Sequence, residues 1–189
     1  LREPNDFQPD KPGRYYTYKV TAEVISLTGE IESGALSLPV GQQPVALQIK
    51  GLRSKVAREK RDTIQILALN LSRQPVTLQA TYVVYALDEK GNKGNEVCRR
   101  TVGTYQSFIP EDILALTPGR YRMEASVLDG QGRACTAEQD FILFSLADAH
   151  LPVYSPEWFY QDGAELDARH PVNLYVGSSE KEVYLLYDV

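Results

Sequence analysis

Apolar and polar residues alternate strictly along residues 16–24. The apolar positions are Tyr16, Tyr18, Val20, Ala22 and Val24, and the positions between them are polar. A period of two predicts a β-strand with one buried face. The same alternation returns in residues 121–127, with the apolar positions Tyr121, Met123, Ala125 and Val127. We therefore predict two strands with equivalent buried faces.

These two strands belong to an internal repeat. Residues 18–30 align with residues 121–133 at a constant offset of 103 residues, and a Pro-Gly-Arg-Tyr run precedes each copy, at 12–15 and 118–121. A weaker similarity relates residues 61–67 to residues 169–175, at an offset of 108. Both offsets match the roughly 100 residues of an immunoglobulin-like sandwich, so we predict a repeating module of that size.

The order of the two similarities sets the predicted module boundaries. Residues 18–30 and 121–133 belong to the late part of a module, whereas residues 61–67 and 169–175 belong to an early part. We therefore predict closing strands of a preceding module at residues 1–42, a complete module at 43–147 and opening strands of a following module at 148–189. In the alternative, the first and last segments pair into a second compact unit. Because the chain begins at Leu1 without a signal peptide, we expect a piece of a longer protein.

The remaining segments also favour strands. Residues 63–69 alternate, with Ile64, Ile66 and Ala68 on one side, and residues 76–87 form a β-rich run. Residues 110–114 predict only a short helical turn, because a proline leads two acidic residues there. Short strands between turns, without long amphipathic helices, predict an all-β fold: an immunoglobulin-like antiparallel β-sandwich rather than a barrel.

The turn before Tyr121 resembles a known corner motif of Greek-key sandwiches. A tyrosine just inside a strand after Thr-Pro-Gly-Arg is similar to the tyrosine corner, in which the phenol hydroxyl bonds to the backbone of the preceding loop. After this strand, Gly130 and Gly132 tolerate positive φ and predict a hairpin.

Composition and charge narrow the function classes. The chain has 189 residues, 43% of them hydrophobic, and a formal net charge of −5. A nucleic-acid partner is not expected, because phosphate binding calls for a basic surplus. No apolar run reaches the ~18 residues of a membrane span, so we expect no transmembrane segment in this piece. Residues 50–61 are basic, and we interpret them as an exposed connection rather than an anion-binding patch.

No residue pattern points to catalysis, a metal or a cofactor, and we predict that the chain is not an enzyme. His150 and His170 have no metal-ligand spacing around them. Residues 177–179, Gly-Ser-Ser, lack the second glycine of a nucleophile elbow. Three carboxylates near a glycine do not form a calcium-loop pattern: Asp162, Glu165 and Asp167.

Two groups of residues leave alternatives open. Cys98 and Cys135 are the two cysteines, and they predict either one disulfide in an oxidising compartment or two buried thiols. Trp158, Phe159 and Tyr160 form an aromatic cluster in a predicted linker. We favour packing at an interface between modules, and the alternative is a platform that stacks on sugar rings.

Several segments together resemble the macroglobulin domains of bacterial alpha-2-macroglobulin-like proteins. Residues 18–34 resemble the closing strands of such a domain, although Ser26-Leu27 stands where the family usually has Asp. Residues 116–121 with 129–132 are similar again. Residues 170–179 and 183–187 resemble the opening strands of a following domain.

This resemblance implies a macroglobulin-type sandwich and a role outside the cytoplasm, in the periplasm or at the cell surface. The family is thought to trap proteases when cleavage of a bait segment collapses the protein around the attacker. The implied partners are neighbouring domains of the same chain and, through the full-length protein, proteases. The chain would be a non-catalytic scaffold segment. The alternative is an immunoglobulin-like carbohydrate-binding or adhesion module of a surface protein.

Family members with a thioester carry it in a Cys-x-Glu-Gln motif. Cys135-Thr-Ala-Glu-Gln139 is similar, but its glutamine follows the cysteine by four positions rather than three. We also expect a strand here, in which alternation separates the two side chains. We therefore predict a structural role for Cys135.

Overall fold

The chain folds mainly into β-strands. The computed structural model describes residues 15–26, 28–41, 44–130, 132–163 and 172–184. Within these ranges the elements are β1 Tyr15–Ile25, β2 Ile31–Gly41, β3 Val45–Lys50, β4 Lys55–Ala57, β5 Gln65–Asn70, β6 Gln79–Leu87, β7 Lys93–Gly103, α1 Glu111–Leu114, β8 Gly119–Leu128, β9 Ala134–Phe144, β10 Trp158–Gln161 and β11 Leu174–Gly177. The predicted all-β class is confirmed.

Strands β3 to β9 form a two-layer sandwich. One sheet has the order β4-β9-β8-β6-β7, and the second pairs β3 with β5. The two sheets share one hydrophobic core, whose largest fully buried side chains include Ile64, Ile66, Tyr82, Met123 and Leu143. The pairings are antiparallel except that β4 runs parallel to β9. This parallel strand lies inside the basic segment 50–61, for which we had predicted only an exposed connection.

The periodicity predicted the buried faces of β5 and β8. Ile64, Ile66 and Ala68 are buried, and so are all four apolar positions of residues 121–127. The β-rich run 76–87 forms a strand only from Gln79 onward. Its first part instead turns against β5, where the Val76 N–H donates to the Ala68 carbonyl at 2.9 Å.

The internal repeat is visible in the backbone register. In the β1–β2 hairpin, Tyr18 pairs with Leu38 and Ala22 with Gly34. In the β8–β9 hairpin, Tyr121 pairs with Phe141 and Ala125 with Ala137. Each pair of the second hairpin lies 103 residues after its counterpart on both strands. The two hairpins are therefore structural copies of each other.

The turns of the two hairpins also match. The Ser26 N–H donates to the Glu30 carbonyl at 2.9 Å, and the Asp129 N–H donates to the Arg133 carbonyl at 2.9 Å. Gly29 and Gly132 adopt φ values of 85° and 77° at equivalent positions, where a side chain would be strained. Residues 12–14, which precede the first copy, lie outside the described residues.

The hydrogen bond expected for the tyrosine corner is present. The Tyr121 hydroxyl donates to the Thr117 carbonyl at 2.7 Å. The bond fixes the loop that leads into β8, and the phenol ring packs at 5.7 Å from the ring of Phe141. Helix α1 covers the sandwich nearby, where its buried residues Ile113 and Leu114 join the core.

Candidate functional site

A second, smaller hydrophobic cluster joins the sandwich to β10 and β11. Its buried members are Ala57 from β4, Phe144 from β9, and Trp158 and Tyr160 from β10. The Phe144 ring meets the Trp158 ring edge-on at 5.3 Å and the Tyr160 ring edge-on at 4.7 Å. Such edge-to-face contacts between buried rings favour one geometry. We call this cluster, with its polar contacts, the module junction.

Lys55 covers the outer side of the module junction. Its ammonium lies 4.4 Å from the centre of the Trp158 ring, within the range of a cation–π contact. The same ammonium donates to the Phe159 carbonyl at 2.5 Å. Burial lowers the pKa of Lys55, and the negative charge of Glu157 partly opposes this effect. A strand of the sandwich thus holds both the ring and the backbone of β10.

Glu59 holds the start of the connection that follows β9. Its carboxylate accepts hydrogen bonds from the Ser145 hydroxyl at 2.6 Å and from the Leu146 N–H at 3.1 Å. Burial opposes ionisation of this group, yet these two bonds bring the pKa of Glu59 below its usual value. The carboxylate is therefore charged at neutral pH and anchors the exit of β9 to the loop after β4.

Asp162 lies at the other end of the module junction, where it bonds to Asn173 and Lys60. Its carboxylate accepts from the Asn173 N–H at 2.8 Å and from the Asn173 side-chain amide at 2.9 Å. The Lys60 ammonium lies 3.3 Å from the same carboxylate. The Asn173 hydrogen bonds, assisted by Lys60, lower the pKa of Asp162. This charged group therefore connects the end of β10, the entry to β11 and the sandwich.

The three side chains of the aromatic cluster 158–160 differ in how far they are buried. The Trp158 side chain is only 3% exposed, and Tyr160 is also buried, whereas Phe159 is 48% exposed. The Lys55 ammonium lies over one face of the indole, and the Phe144 ring contacts the indole edge-on. Trp158 therefore packs at the junction and offers no open ring face for sugar stacking. Phe159 is the one member of the three with a largely exposed ring.

The two cysteines are free thiols. Cys98 lies on β7 and Cys135 on β9, and strands β6 and β8 run between them. Three strand spacings alone put at least about 14 Å between their Cα atoms, well beyond the ~7 Å limit for a disulfide. A disulfide between them is therefore incompatible with this sheet order; Cys135 is buried, and Cys98 is only partly buried.

Neither thiol is placed for nucleophilic chemistry. Burial raises the pKa of Cys98 to about 12, with a further contribution from the nearby Asp112 carboxylate. The thiol therefore stays protonated at neutral pH. Asp112 also accepts a hydrogen bond from the Tyr82 hydroxyl at 2.6 Å, which fixes α1 to the sheet. Cys135 is buried in the main core.

The residues that resemble a thioester motif lie along one strand. Cys135 and Gln139 are four residues apart on β9, so their Cα atoms are about 13 Å apart. An even spacing places both side chains on the same face, so the rise of the strand separates them and not the alternation we had expected. The Gln139 amide donates to the Leu52 carbonyl instead.

The other polar candidates have structural contacts or lie outside the described residues. Ser178 donates to the Pro156 carbonyl at 2.7 Å, and the Ser179 hydroxyl accepts from the Ser155 N–H at 3.1 Å. His150 is exposed on the connection after β9. Glu165, Asp167 and His170 lie outside the described residues, as does the resemblance at 185–187.

Most of the basic segment contacts acidic or carbonyl groups nearby. Arg61 pairs with Glu111, and the Arg58 guanidinium donates to the Leu114 carbonyl at 3.0 Å. Lys55 and Lys60 are both engaged at the module junction. These contacts favour the interpretation of residues 50–61 as a connecting segment, here one that fastens α1 and β10 to the sandwich.

An open cleft of about 540 Å³ borders the module junction. Phe144, Trp158 and Tyr175 form part of its wall, and His150, Glu180 and Lys181 lie around it. In the described ranges, no group of three or more His, Cys, Asp or Glu side chains is arranged to hold a metal ion. No helix among those residues is long and apolar enough to span a bilayer.

Sequence analysis identified Trp158 and Tyr160 but missed their counterparts on the sandwich. Phe144 was not singled out, and Lys55 was only one charge in the basic run 50–61. No local signal could have found them, because the contact of Lys55 with β10 joins residues 104 positions apart in the sequence. Long-range pairing between β4 and β9 brought these residues together.

Comparison of the chain with protein-family models gives no match, and comparison with curated proteins gives none either. Membership of the alpha-2-macroglobulin-like family therefore remains a proposal.

Proposed function

We propose that this chain is a non-catalytic scaffold segment of an extracytoplasmic alpha-2-macroglobulin-like protein that traps proteases. In this proposal its sandwich is an immunoglobulin-like macroglobulin module, and its role is to hold neighbouring modules in a fixed orientation. The partners are the neighbouring domains of the same chain and, through the full-length protein, the trapped protease. The repeated hairpins and the sequence resemblance support this proposal.

The single observation that carries the proposal is the packed module junction. A flexible linker would leave exposed polar residues between the sandwich and β10. Here Trp158 and Tyr160 pack against Phe144, and Lys55, Glu59 and Asp162 add polar contacts. A junction of this kind transmits a rotation of one module to the next, which a collapsing trap requires.

A protease-trapping assay on the full-length protein tests this role. The protein is mixed with a protease, and the residual activity is measured on a large protein substrate and on a small peptide. We expect the activity on the large substrate to fall while the activity on the peptide persists, because a trapped protease stays open to small molecules only. We expect Trp158→Ala to weaken this difference, because it empties the junction.

Phe159→Ala is the matched control, since Phe159 is the adjacent residue on the exposed face of β10. It should leave trapping unchanged. Trp158→Phe keeps an aromatic ring and should retain most of the trapping even if Trp158→Ala folds poorly. Equal loss of both activities, or no loss of either, in the unmodified protein would contradict the proposal. Binding to a glycan array that Phe159→Ala abolishes would favour the adhesion alternative.

A further inference from the structure

The turn after β4 places four consecutive charged side chains between two elements of the fold. The Lys60 N–H donates to the Ala57 carbonyl at 3.0 Å, which closes a tight turn. The Arg58 N–H donates to the Phe144 carbonyl at 2.9 Å, so the turn is also fixed to the end of β9. We call residues 58–61 the charged turn. Because two backbone hydrogen bonds hold so short a segment, a shift of one of its side chains displaces the others.

Two arginines of the charged turn hold α1. The Arg58 guanidinium donates to the Leu114 carbonyl at 3.0 Å, and Arg61 pairs with Glu111. Leu114 is the last residue of α1, where a carbonyl has no partner within the helix, and the last turn contains no basic residue of its own. Arg58 therefore caps α1 from a distant part of the chain. The Arg61–Glu111 pair is exposed and contributes less.

The two residues between these arginines hold the module junction. The Glu59 carboxylate accepts from the Ser145 hydroxyl and the Leu146 N–H at the exit of β9. The Lys60 ammonium lies 3.3 Å from the Asp162 carboxylate, just after β10, and the Asp162 side chain is only 10% exposed. The charged turn thus contacts α1 with its outer two residues and the junction with its inner two.

We propose that the charged turn couples α1 to the module junction, so that α1 is a second point from which the orientation of β10 and β11 is controlled. The two states are a turn engaged with both elements and a turn released from both. Displacing α1 takes the Leu114 carbonyl away from Arg58, and the freed turn then holds Glu59 and Lys60 less firmly against their partners. By thermodynamic linkage, loosening the junction loosens α1 by the same factor. This coupling goes beyond the trapping role, and its test needs no protease.

Trp158 reports directly on the module junction, because it is the single tryptophan of the chain and its side chain is buried. Urea titration followed by Trp158 fluorescence gives the equilibrium constant for release of β10. The test is a double-mutant cycle between Arg58→Gln, which breaks the contact with α1, and Asp162→Asn, which weakens the contact with the junction. We expect the combined effect on this constant to differ from the product of the single effects by at least about threefold, because the second substitution acts on a turn that is already released.

Arg99→Gln is the matched control, since Arg99 pairs with Glu96 on β7 and not with the charged turn. Combined with Asp162→Asn, its effect on the release constant should multiply independently. Arg58→Lys keeps a positively charged donor for the Leu114 carbonyl and should restore most of the coupling. A cycle in which the effects of Arg58→Gln and Asp162→Asn multiply independently would overturn the proposal.

Hydrogen exchange measures the coupling in the opposite direction and needs no variant of the charged turn. The Leu114 N–H donates to the Pro110 carbonyl at 3.0 Å, so its exchange rate reports the opening of α1. The bonds of Asp162 go to Lys60 and Asn173 rather than to α1. Asp162→Asn should nevertheless raise this rate at least about threefold, while Arg99→Gln leaves it unchanged. An unchanged rate in an Asp162→Asn variant whose far-ultraviolet circular dichroism shows intact strands would refute the coupling.

Discussion

The β1–β2 and β8–β9 hairpins share a register, a turn and an alternating pattern, but they lie in different environments. Met123 on β8 is fully buried, whereas Val20, its counterpart on β1, is 42% exposed. β8 lies between β9 and β6 in a five-stranded sheet, and β1 pairs with β2 alone. Local sequence is therefore sufficient to specify the hairpin, and a second layer of strands decides whether its apolar face contributes to a core.

The largest expected difference between the hairpins is the cost of truncating an apolar side chain. We expect Met123→Ala to lower the free energy of unfolding by about 2–5 kcal/mol, since it leaves a cavity in a packed core. We expect Val20→Ala to change it by less than about 0.5 kcal/mol, because the side chain is exposed. Urea unfolding of both variants at low protein concentration measures this. Similar costs at the two positions would contradict the comparison.

A smaller difference is expected for the two tyrosines. Tyr121→Phe should cost about 1 kcal/mol, because the partly buried hydrogen bond from the phenol hydroxyl to the Thr117 carbonyl is lost. Tyr18→Phe should change stability by less than about 0.5 kcal/mol, since the Tyr18 side chain is partly exposed. Thermal unfolding of each variant checks the difference, and a larger loss for Tyr18→Phe would reverse the expected order.

The smallest expected difference between the two hairpins is in how their contribution to stability depends on pH. On the outer face of β8 and β9, hydrogen bonds from Arg122 hold the pKa of Asp140 below its usual 3.8. The pKa of Asp140 is lower in the folded state than in the unfolded chain, so its pair with Arg122 stabilises the fold above pH 3.8. This stabilisation is lost as the pH falls through the folded-state pKa. The equivalent residues of β1 and β2 are Lys19 and Ser37, which contain no carboxylate.

Asp140→Asn should therefore cost less than about 1 kcal/mol at pH 7, because the Asp140 side chain is 54% exposed and solvent screens the ion pair. Its difference from the unmodified chain should shrink as the pH falls below 3.8 and through the depressed pKa of Asp140. Urea unfolding across this range measures the effect. Ser37→Ala is the control and should show no such pH dependence. A difference that persists unchanged at the acidic end would show that Asp140 acts through packing.

Sequence analysis predicted the fold class and much of the central module. Alternation predicted the buried faces of β5 and β8, because a strand with one covered face carries apolar residues at every second position. The turn chemistry at Gly132 and the hydrogen bond of Tyr121 were also predicted. The edge strand β7 was missed because it is mostly polar and shows no alternation of apolar residues, and the parallel strand β4 was missed because its three residues are too few to show a period.

The module junction was predicted only in part. The aromatic run 158–160 stood out in composition, but its division into buried Trp158 and exposed Phe159 depends on which face of β10 meets Phe144. Likewise, two cysteines in one chain left a disulfide open until the strand order separated them. Strand order is a property of the whole sheet, so no local pattern could supply it.

The sequence by itself determined the hairpins of this protein, because alternation and turn residues act between neighbours along the chain. Only the tertiary structure decided which apolar faces are covered. Burial requires a second surface from a distant part of the chain, which β3 and β5 provide for β8 and β9. For β1 and β2 the described residues leave that surface uncovered.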